Sequence, residues 1–272
     1  MIRYRTRGVW IADVFLGEPF HLDATPGVDV VRYNYWPTRP PGEPGQPSHT
    51  RVIDLTRTEE ELFSEVQTSS RRAIRLAEKD TLECRIQFPA SPELTGAFSD
   101  VYDPFARARG LEPADRARLA ALAAAGQVEV NQIFDPQATL DDAVLVWHLN
   151  VRACRRALML YSVSQAGADP DRQRRIGRGN RRLHWQEIRS WKSQGLEAYD
   201  FGGWYTGSDD RQLLGINRFK EAFGGAVTPT YNSLRPCTLK GSLALRFLSL
   251  KRWSRSWLRK AASPDPSAEA ES

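Results

Sequence analysis

The sequence predicts an α/β protein built on a mixed sheet, and three observations carry that prediction. Helical periodicities alternate with short strand-like runs along most of the chain. Three such runs, Val128 to Phe134, Ala143 to Asn150 and Ala157 to Ser164, follow one another directly. A strand, a glycine-bearing segment, a helix and another strand then succeed each other up to Phe201, the order of a βαβ-like unit grafted onto the sheet. At 272 residues and 41% hydrophobic content the chain can bury a core as one large domain or two small ones.

Taken in order, the first landmark is Pro37 to Ser48, whose prolines and glycines exclude a helix or an interior strand and predict a surface loop. Arg51 to Leu55 reads as a short strand. Thr58 is placed to cap the helix that follows, with Glu61 at the capping-box position. Ser69 or Ser70 is placed to cap a second helix, Arg71 to Lys79, in which Ile74 and Ala77 share one face and Arg71, Arg72 and Arg75 group on another. Leu82 to Phe88 reads as a strand; Pro92 to Arg109 and Ala114 to Ala125 read as helices, the second ended by Gly126. After the three strands and a polar loop at Gly167 to Asp171, a helix is expected from about Gly179 to Gln194, with an apolar stripe of Leu183, Ile188 and Trp191. Gly195 stops it, and Glu197 to Phe201 returns as a strand. Leu213 to Phe223 is amphipathic, Val227 to Tyr231 is a strand, and Leu243 to Leu258 is a basic amphipathic helix. Residues 262–272 are small, polar and expected to be disordered. This divides the chain into an N-terminal strand and Pro-rich segment (1–50), a main α/β domain (51–235), the basic helix (240–261) and the tail (262–272).

Composition excludes several classes. No run of apolar residues is long enough to cross a bilayer, and Met1 to Arg5 does not lead into a signal-peptide core, so a cytoplasmic location is expected. Cys84, Cys154 and Cys237 are few, odd in number and widely spaced, which fits reduced thiols rather than a disulfide scaffold or zinc module. The net charge of +5 is unevenly spread: Arg152 to Arg189 holds ten arginines against Asp169, Asp171 and Glu187. Such a strip suits an anionic partner or is a solvated helix face.

Four pieces carry chemistry. Arg174-x-x-Gly177-x-Gly179-Asn180, read as following a strand and opening a helix, offers backbone amides to phosphate oxygens, or is a flexible basic turn. Asp200 ends a buried strand before Gly202 and Gly203, where the glycine pair lets a substrate approach. It would orient or deprotonate an attacking amine, or anchor its own loop. Lys220 stands beside the apolar stripe of Ile216, Phe219 and Phe223, placed either to hold an oxyanion or to lie exposed on its helix. His184 borders the stripe of its helix as a base or as a structural histidine packed on Trp185 or Trp191. No second histidine lies at metal-ligand spacing and no Gly-x-Ser-x-Gly elbow occurs, so no metal is expected.

Three segments together resemble a known family. They are Val52 to Leu55 with Ser69 to Lys79; Asn180 to Trp185 running through Ser193-Gln194-Gly195 to Tyr199-Asp200-Phe201-Gly202-Gly203; and Gly215 to Gly225, containing Asn217-Arg218-Phe219-Lys220. They are similar to the GNAT-fold branch that contains the Fem peptidoglycan-bridge aminoacyltransferases and related N-acyltransferases. The resemblance implies a GNAT-like fold and acyl transfer to a primary amine. It also implies a site in which Phe219 and Lys220 handle the acyl end of the donor, with Arg71, Arg72, Arg75, Gly202, Gly203, Trp204, Tyr205 and Asn217 along the substrate path. Fem enzymes are longer, with two such halves and a helical arm for tRNA that is not evident here. The Arg174 to Gly179 pattern resembles the pyrophosphate loop of acyl-CoA-dependent GNAT enzymes.

These readings converge on an N-acyltransferase that takes an acyl group from acyl-CoA to an amine on a sugar, nucleotide-linked or peptidoglycan-type acceptor. Aminoacyl-tRNA is the alternative donor. The contrasting class is a non-catalytic module binding RNA or an anionic membrane surface, the latter through Leu243 to Leu258.

Overall fold

The computed structural model describes residues 1–20, 26–40, 42–43, 45–139, 143–165 and 169–247. The expected mixed α/β architecture is present. Ten strands, β1 (Ile2–Thr6), β2 (Val9–Phe15), β3 (Val30–Trp36), β4 (Gln46–Asp54), β5 (Glu83–Gln87), β6 (Val128–Phe134), β7 (Val144–Ala153), β8 (Arg156–Ser164), β9 (Ala198–Trp204) and β10 (Ala226–Pro236), make one sheet. Its order is β1-β2-β3-β10-β4-β9-β8-β7-β6-β5, antiparallel except for β2 with β3 and β8 with β9.

Six helices cover the two faces: α1 (Glu59–Glu65), α2 (Thr68–Lys79), α3 (Pro92–Ala108), α4 (Arg116–Ala124), α5 (Pro170–Ser193) and α6 (Arg211–Glu221). Residues 239–247 form a seventh, α7. On one face Phe98, Tyr102 and Ala106 of α3 and Leu119 and Leu122 of α4 pack on Phe15, Val130, Leu149 and Leu158. On the other, Trp185, Ile188 and Trp191 of α5 and Phe223 beside α6 pack on Ile53, Ala157, Tyr199 and Phe201. Burying each of the leucine, isoleucine, valine and phenylalanine side chains among them contributes about 1.5–3 kcal/mol. Among the described residues no helix is long and apolar enough to cross a membrane.

Several local readings hold. Thr58 accepts from the Glu61 amide and Glu61 returns a bond to the Thr58 amide, the expected capping box. Others need correction. The Pro-rich segment is not all loop, because β4 reaches back to Gln46 and lies inside the sheet. Pro47 is tolerated there because β4 pairs with β10 at that point while its pairing with β9 begins only at His49. The second helix begins at Thr68 rather than Arg71, with Gln67 at the cap and no side-chain hydrogen bond. The first 36 residues supply three strands where the sequence leads one to expect a single N-terminal strand. Of the expected helix Leu243 to Leu258, the portion after Phe247 lies outside the described residues, as does the 262–272 tail.

The largest correction concerns α5. The helix starts at Pro170, with Asp169 as N-cap accepting from the amides of Asp171 and Arg172. Arg174, Gly177, Arg178, Gly179 and Asn180 therefore lie inside the helix, and their amides do not form the open phosphate loop expected at its start. Gly179 is needed for packing: a Cβ there would stand 3.0 Å from Ile133 Cγ2 and 3.3 Å from Leu82 Cδ1.

Candidate active site

β8 and β9 run parallel from Arg156↔Ala198 to Leu158↔Asp200 and then stop pairing, although β8 continues to Ser164 and β9 to Trp204. The sheet opens there. Both strands are irregular at the opening. β8 carries an extra residue, Leu160, between Met159↔Asn150 and Tyr161↔Leu149. β9 sets Phe201 and Gly202 against the single residue Arg51 of β4, with Gly202 at φ +71°. A Cβ on Gly202 would approach the Met159 carbonyl oxygen to 3.0 Å, so only glycine fits this bulge without strain.

Asp200 and Lys220 meet at the bulge from opposite faces. Asp200 is fully buried; it accepts from Thr50 Oγ1, from the Gly202 amide at 2.8 Å and from Arg156 Nη2 at 3.2 Å. Burial raises its pKa above the ordinary carboxylate value, and these donors and the arginine oppose the rise. It thus anchors the bulge, the second of the two roles open to it from sequence. Lys220 is only 9% exposed, and its Nζ donates to the carbonyls of Gly202, at 3.3 Å, and of Gly203. Burial lowers its pKa to about 8, against an opposing pull from Asp200. Two of its three N–H donors are used on the bulge, and one remains for a ligand.

Other expected residues take different places. His184 is buried below the site, its Nδ1 2.9 Å from the Tyr199 hydroxyl and its ring packed near Phe201, Phe219 and Phe223. Burial, followed by nearby His148, Lys220 and Arg181, pushes its pKa well below the ordinary histidine value. Its ring is enclosed by the aromatic residues of β9, α6 and the turn after α6. Phe219 is in this same aromatic cluster, while Asn217 clamps the loop after β9 by accepting from the Tyr205 amide at 3.2 Å and donating to the Tyr205 carbonyl at 2.7 Å. Trp204 lies under Arg51, with the guanidinium carbon 5.1 Å from the ring centroid. Arg71 donates through Nη1 to the carbonyls of Phe63, Ser64 and Val66, closing the end of α1. Arg72 and Arg75 are exposed on α2. Arg174 pairs with Asp171, Arg178 Nε donates to Asp80 at 2.8 Å, and Asn180 Oδ1 lies 2.8 Å from His148 Nε2.

The second histidine that sequence spacing did not show comes from β7. His148, His184 and Glu187 bring possible ligand atoms within 4.8 Å of one another, all buried. Their hydrogen bonds are already engaged: His148 Nδ1 lies 3.0 Å from Glu187, which also accepts from Asn131 at 2.7 Å and Asn150 at 3.0 Å. The cluster therefore reads as a polar strut between α5 and the sheet.

Residues not foreseen complete the opening. Tyr35 of β3 (φ +52°) has its hydroxyl near the bulge, 3.6 Å from where a Gly202 Cβ would stand; burial and then Asp200 raise its pKa. Tyr161 stands on the α3 and α4 face. On the opposite face the Arg181 guanidinium lies 5.2 Å from the Phe219 ring centroid, and burial alone lowers its pKa. Among the described residues no carboxylate pairs with it, whereas Arg152, Arg155, Arg156, Arg174, Arg175, Arg178 and Arg189 all have acidic partners.

Two cavities border β8 beyond Leu158, one through Ser162 and Ser164 and the other through Tyr161. One of about 400 Å³, lined by Arg109, Ser162, Ser164, Gln173, Ile176 and Gly177, lies between the end of β8 and the first turns of α5. A larger one of about 970 Å³ on the α4 side is lined by Ile11, Val30, Arg118, Tyr161, Leu234 and Leu245, among others. At its floor Arg118 forms a buried ion pair with Asp13 and donates to Asn34 Oδ1 at 3.0 Å.

No protein-family model matches the sequence, and no curated protein does. Solved structures do match. The C-terminal domain of a putative lysylphosphatidylglycerol synthetase from Agrobacterium fabrum is 14% identical with a TM-score of 0.53, over 92% of this chain and 84% of that one. L-PGS from Bacillus licheniformis is 12% identical with a TM-score of 0.52, over 90% and 83%. FemX is 15% identical with a TM-score of 0.52, over 66% of this chain; the chain spans 59% of FemX. The chain thus shares the fold of these three structures, FemX among them, which accords with the fold that the resemblance of its motifs implies.

Proposed function

We propose that this protein is an N-acyltransferase that joins an acyl donor and a primary amine in the opening between β8 and β9. The observation that carries the reading is the parting of these strands at Leu158↔Asp200, with Lys220 held at the glycine bulge beside the gap. Ligands of open α/β sheets bind beyond the carboxyl ends of strands. Among the described residues no strand pairs with β8 on this side past Leu158, so backbone amides and carbonyls there are free to bind an extended ligand as if it were a strand. The amide-bearing pantetheine arm of an acyl-CoA has that chemistry, and the smaller cavity continues the path towards α5.

The amine nitrogen attacks the thioester carbonyl, forming the C–N bond. The carbonyl oxygen takes the negative charge and receives the remaining N–H of Lys220. Collapse breaks the C–S bond, the thiolate leaves, and the nitrogen releases its proton to thiolate or solvent. Asp200 is a positioning residue that fixes the bulge. The acceptor reaches the gap from the larger cavity, past Tyr161.

Aminoacyl-tRNA as donor is the second reading, favoured by Arg181, which has no carboxylate partner among the described residues and donates to Ser70 of α2, the helix that carries exposed Arg72 and Arg75. The pairing of the other arginines leaves little of the broad cationic surface that a polynucleotide requires. Calorimetry with a panel of acyl-CoA thioesters, on the wild type and on Gly177→Leu, tests the proposal. Saturable binding lost in the variant is expected. Binding of aminoacyl-tRNA alone, weakened by Arg181→Ala, would replace acyl-CoA with the second reading.

A further inference from the structure

Independently of the reaction proposed above, α7 has two faces of opposite character. Its inner face is seated on the domain. A Cβ on Gly241 would collide with the Asp29 carbonyl oxygen, so the helix backbone rests directly on that loop. Leu245 packs on the main core. Thr238 Oγ1 donates to Asp29 Oδ1 at 2.7 Å and accepts from the Gly241 amide at 3.0 Å, and Lys240 lies 3.4 Å from Asp29 Oδ2. The helix is therefore fixed in rotation. Its outer face carries Leu239, Leu243 and Phe247, which are 86%, 66% and 63% exposed. Spaced four apart, they form a single stripe along the helix. Helical geometry puts Lys240 on one flank of that stripe and Arg246 on the other.

An apolar stripe flanked by one basic residue on each side, on a helix anchored by its other side, matches the interface of an anionic bilayer. The sequence supplies the same composition further on: from residue 240 to residue 260 there are seven basic residues and no acidic one, interleaved with Trp253, Trp257 and several leucines. A protein partner would also bury the leucines, but a segment with seven cations, no acidic residue and two tryptophans matches phosphate headgroups over acyl chains. We infer that α7 seats this protein on an anionic membrane surface through Leu239, Leu243 and Phe247. The larger cavity, lined in part by Ala244, Leu245 and Phe247 of the same helix, would then lie beside the lipid interface.

The test is co-sedimentation of the full chain with phosphatidylcholine vesicles with and without phosphatidylglycerol, at low and high salt. Wild type is compared with Leu239→Glu, Leu243→Glu, two positions that line neither cavity. Binding that requires phosphatidylglycerol, weakens with salt and falls roughly tenfold or more in the variant is expected. Unchanged circular dichroism and elution volume in the variant show that the fold is retained. Vesicle binding that persists in the variant would overturn the role of this stripe. Retention on heparin without vesicle binding would overturn the membrane partner in favour of a polyanion. Loss of a wild-type dimer in the variant, without vesicle binding, would assign the stripe to self-association.

Discussion

Replacing Lys220 with Met removes a buried charge while keeping an unbranched side chain of similar length. Burial lowers the ammonium's pKa from 10.5 to about 8. Between these values the folded protein holds Lys220 neutral while the unfolded chain still holds it protonated, so the unfolded state binds more protons. Stability from this group therefore rises with pH across that window. At about 1.4 kcal/mol per pH unit, the gap means that keeping the charge costs the fold about 3 kcal/mol at neutral pH, and that the cost vanishes by about pH 10.5. Urea unfolding of wild type and Lys220→Met at unit steps from pH 7 to pH 10 measures this directly. The wild type should gain on the variant by up to about 3 kcal/mol, nearly all above pH 8, because titrations common to both proteins cancel in the difference. Parallel curves would refute the buried-cation reading, and with it the placement of Lys220 at a site shielded from water. In the reaction the same variant should lose about 10²- to 10³-fold in turnover with little change in donor affinity.

Four further outcomes are expected. Transfer activity should decline above about pH 8 as Lys220 loses its proton, and Lys220→Arg should shift that alkaline limb upward, read from the pH profile of kcat. Gly202→Ala should lower stability by about 1–3 kcal/mol in thermal unfolding, since φ is +71° and the new Cβ meets the Met159 carbonyl. Gly177→Ala should stabilise by about 0.5–1 kcal/mol and Gly179→Val should destabilise by about 1–3 kcal/mol, a contrast that only a helix at both positions produces. Arg118→Met should cost about 3 kcal/mol or more in urea unfolding, because Asp13 stays buried with only Arg32, 3.4 Å away, to balance it.

What could be read from the sequence was what depends on neighbours along the chain. The Thr58 and Glu61 capping box and the three successive strands are local patterns, and the structure has them, whereas Asp200, expected to end its strand, lies within β9, which continues through the Gly202 bulge to Trp204. The misplacement of α5 had a local remedy: Asp169-Pro170 is an N-cap followed by proline at the first helical position, a stronger start signal than the glycines seven residues on. Tyr35, Thr50 and Tyr161 had no such signal, because they reach the opening from three separate strands. The arginine strip misled for a related reason. Asp80 and Glu59, which neutralise Arg178 and Arg189, lie far back in the sequence, so charge that looks concentrated along the chain is dispersed in space.

The place of β10 in the sheet sets the order in which the chain can be completed during synthesis. β3 is made early, yet its neighbour on one side is β10, and Tyr35 waits for Asn232, 197 residues later, to receive its backbone hydrogen bond. The same late strand also closes the edge of β4. Until residues 226–236 have left the ribosome, two strand edges stand open on a nascent chain, each a template for pairing with another polypeptide. Truncation before Ala226 should therefore yield aggregated protein rather than a smaller folded one, and translation that stalls in α6 exposes the cell to the same hazard.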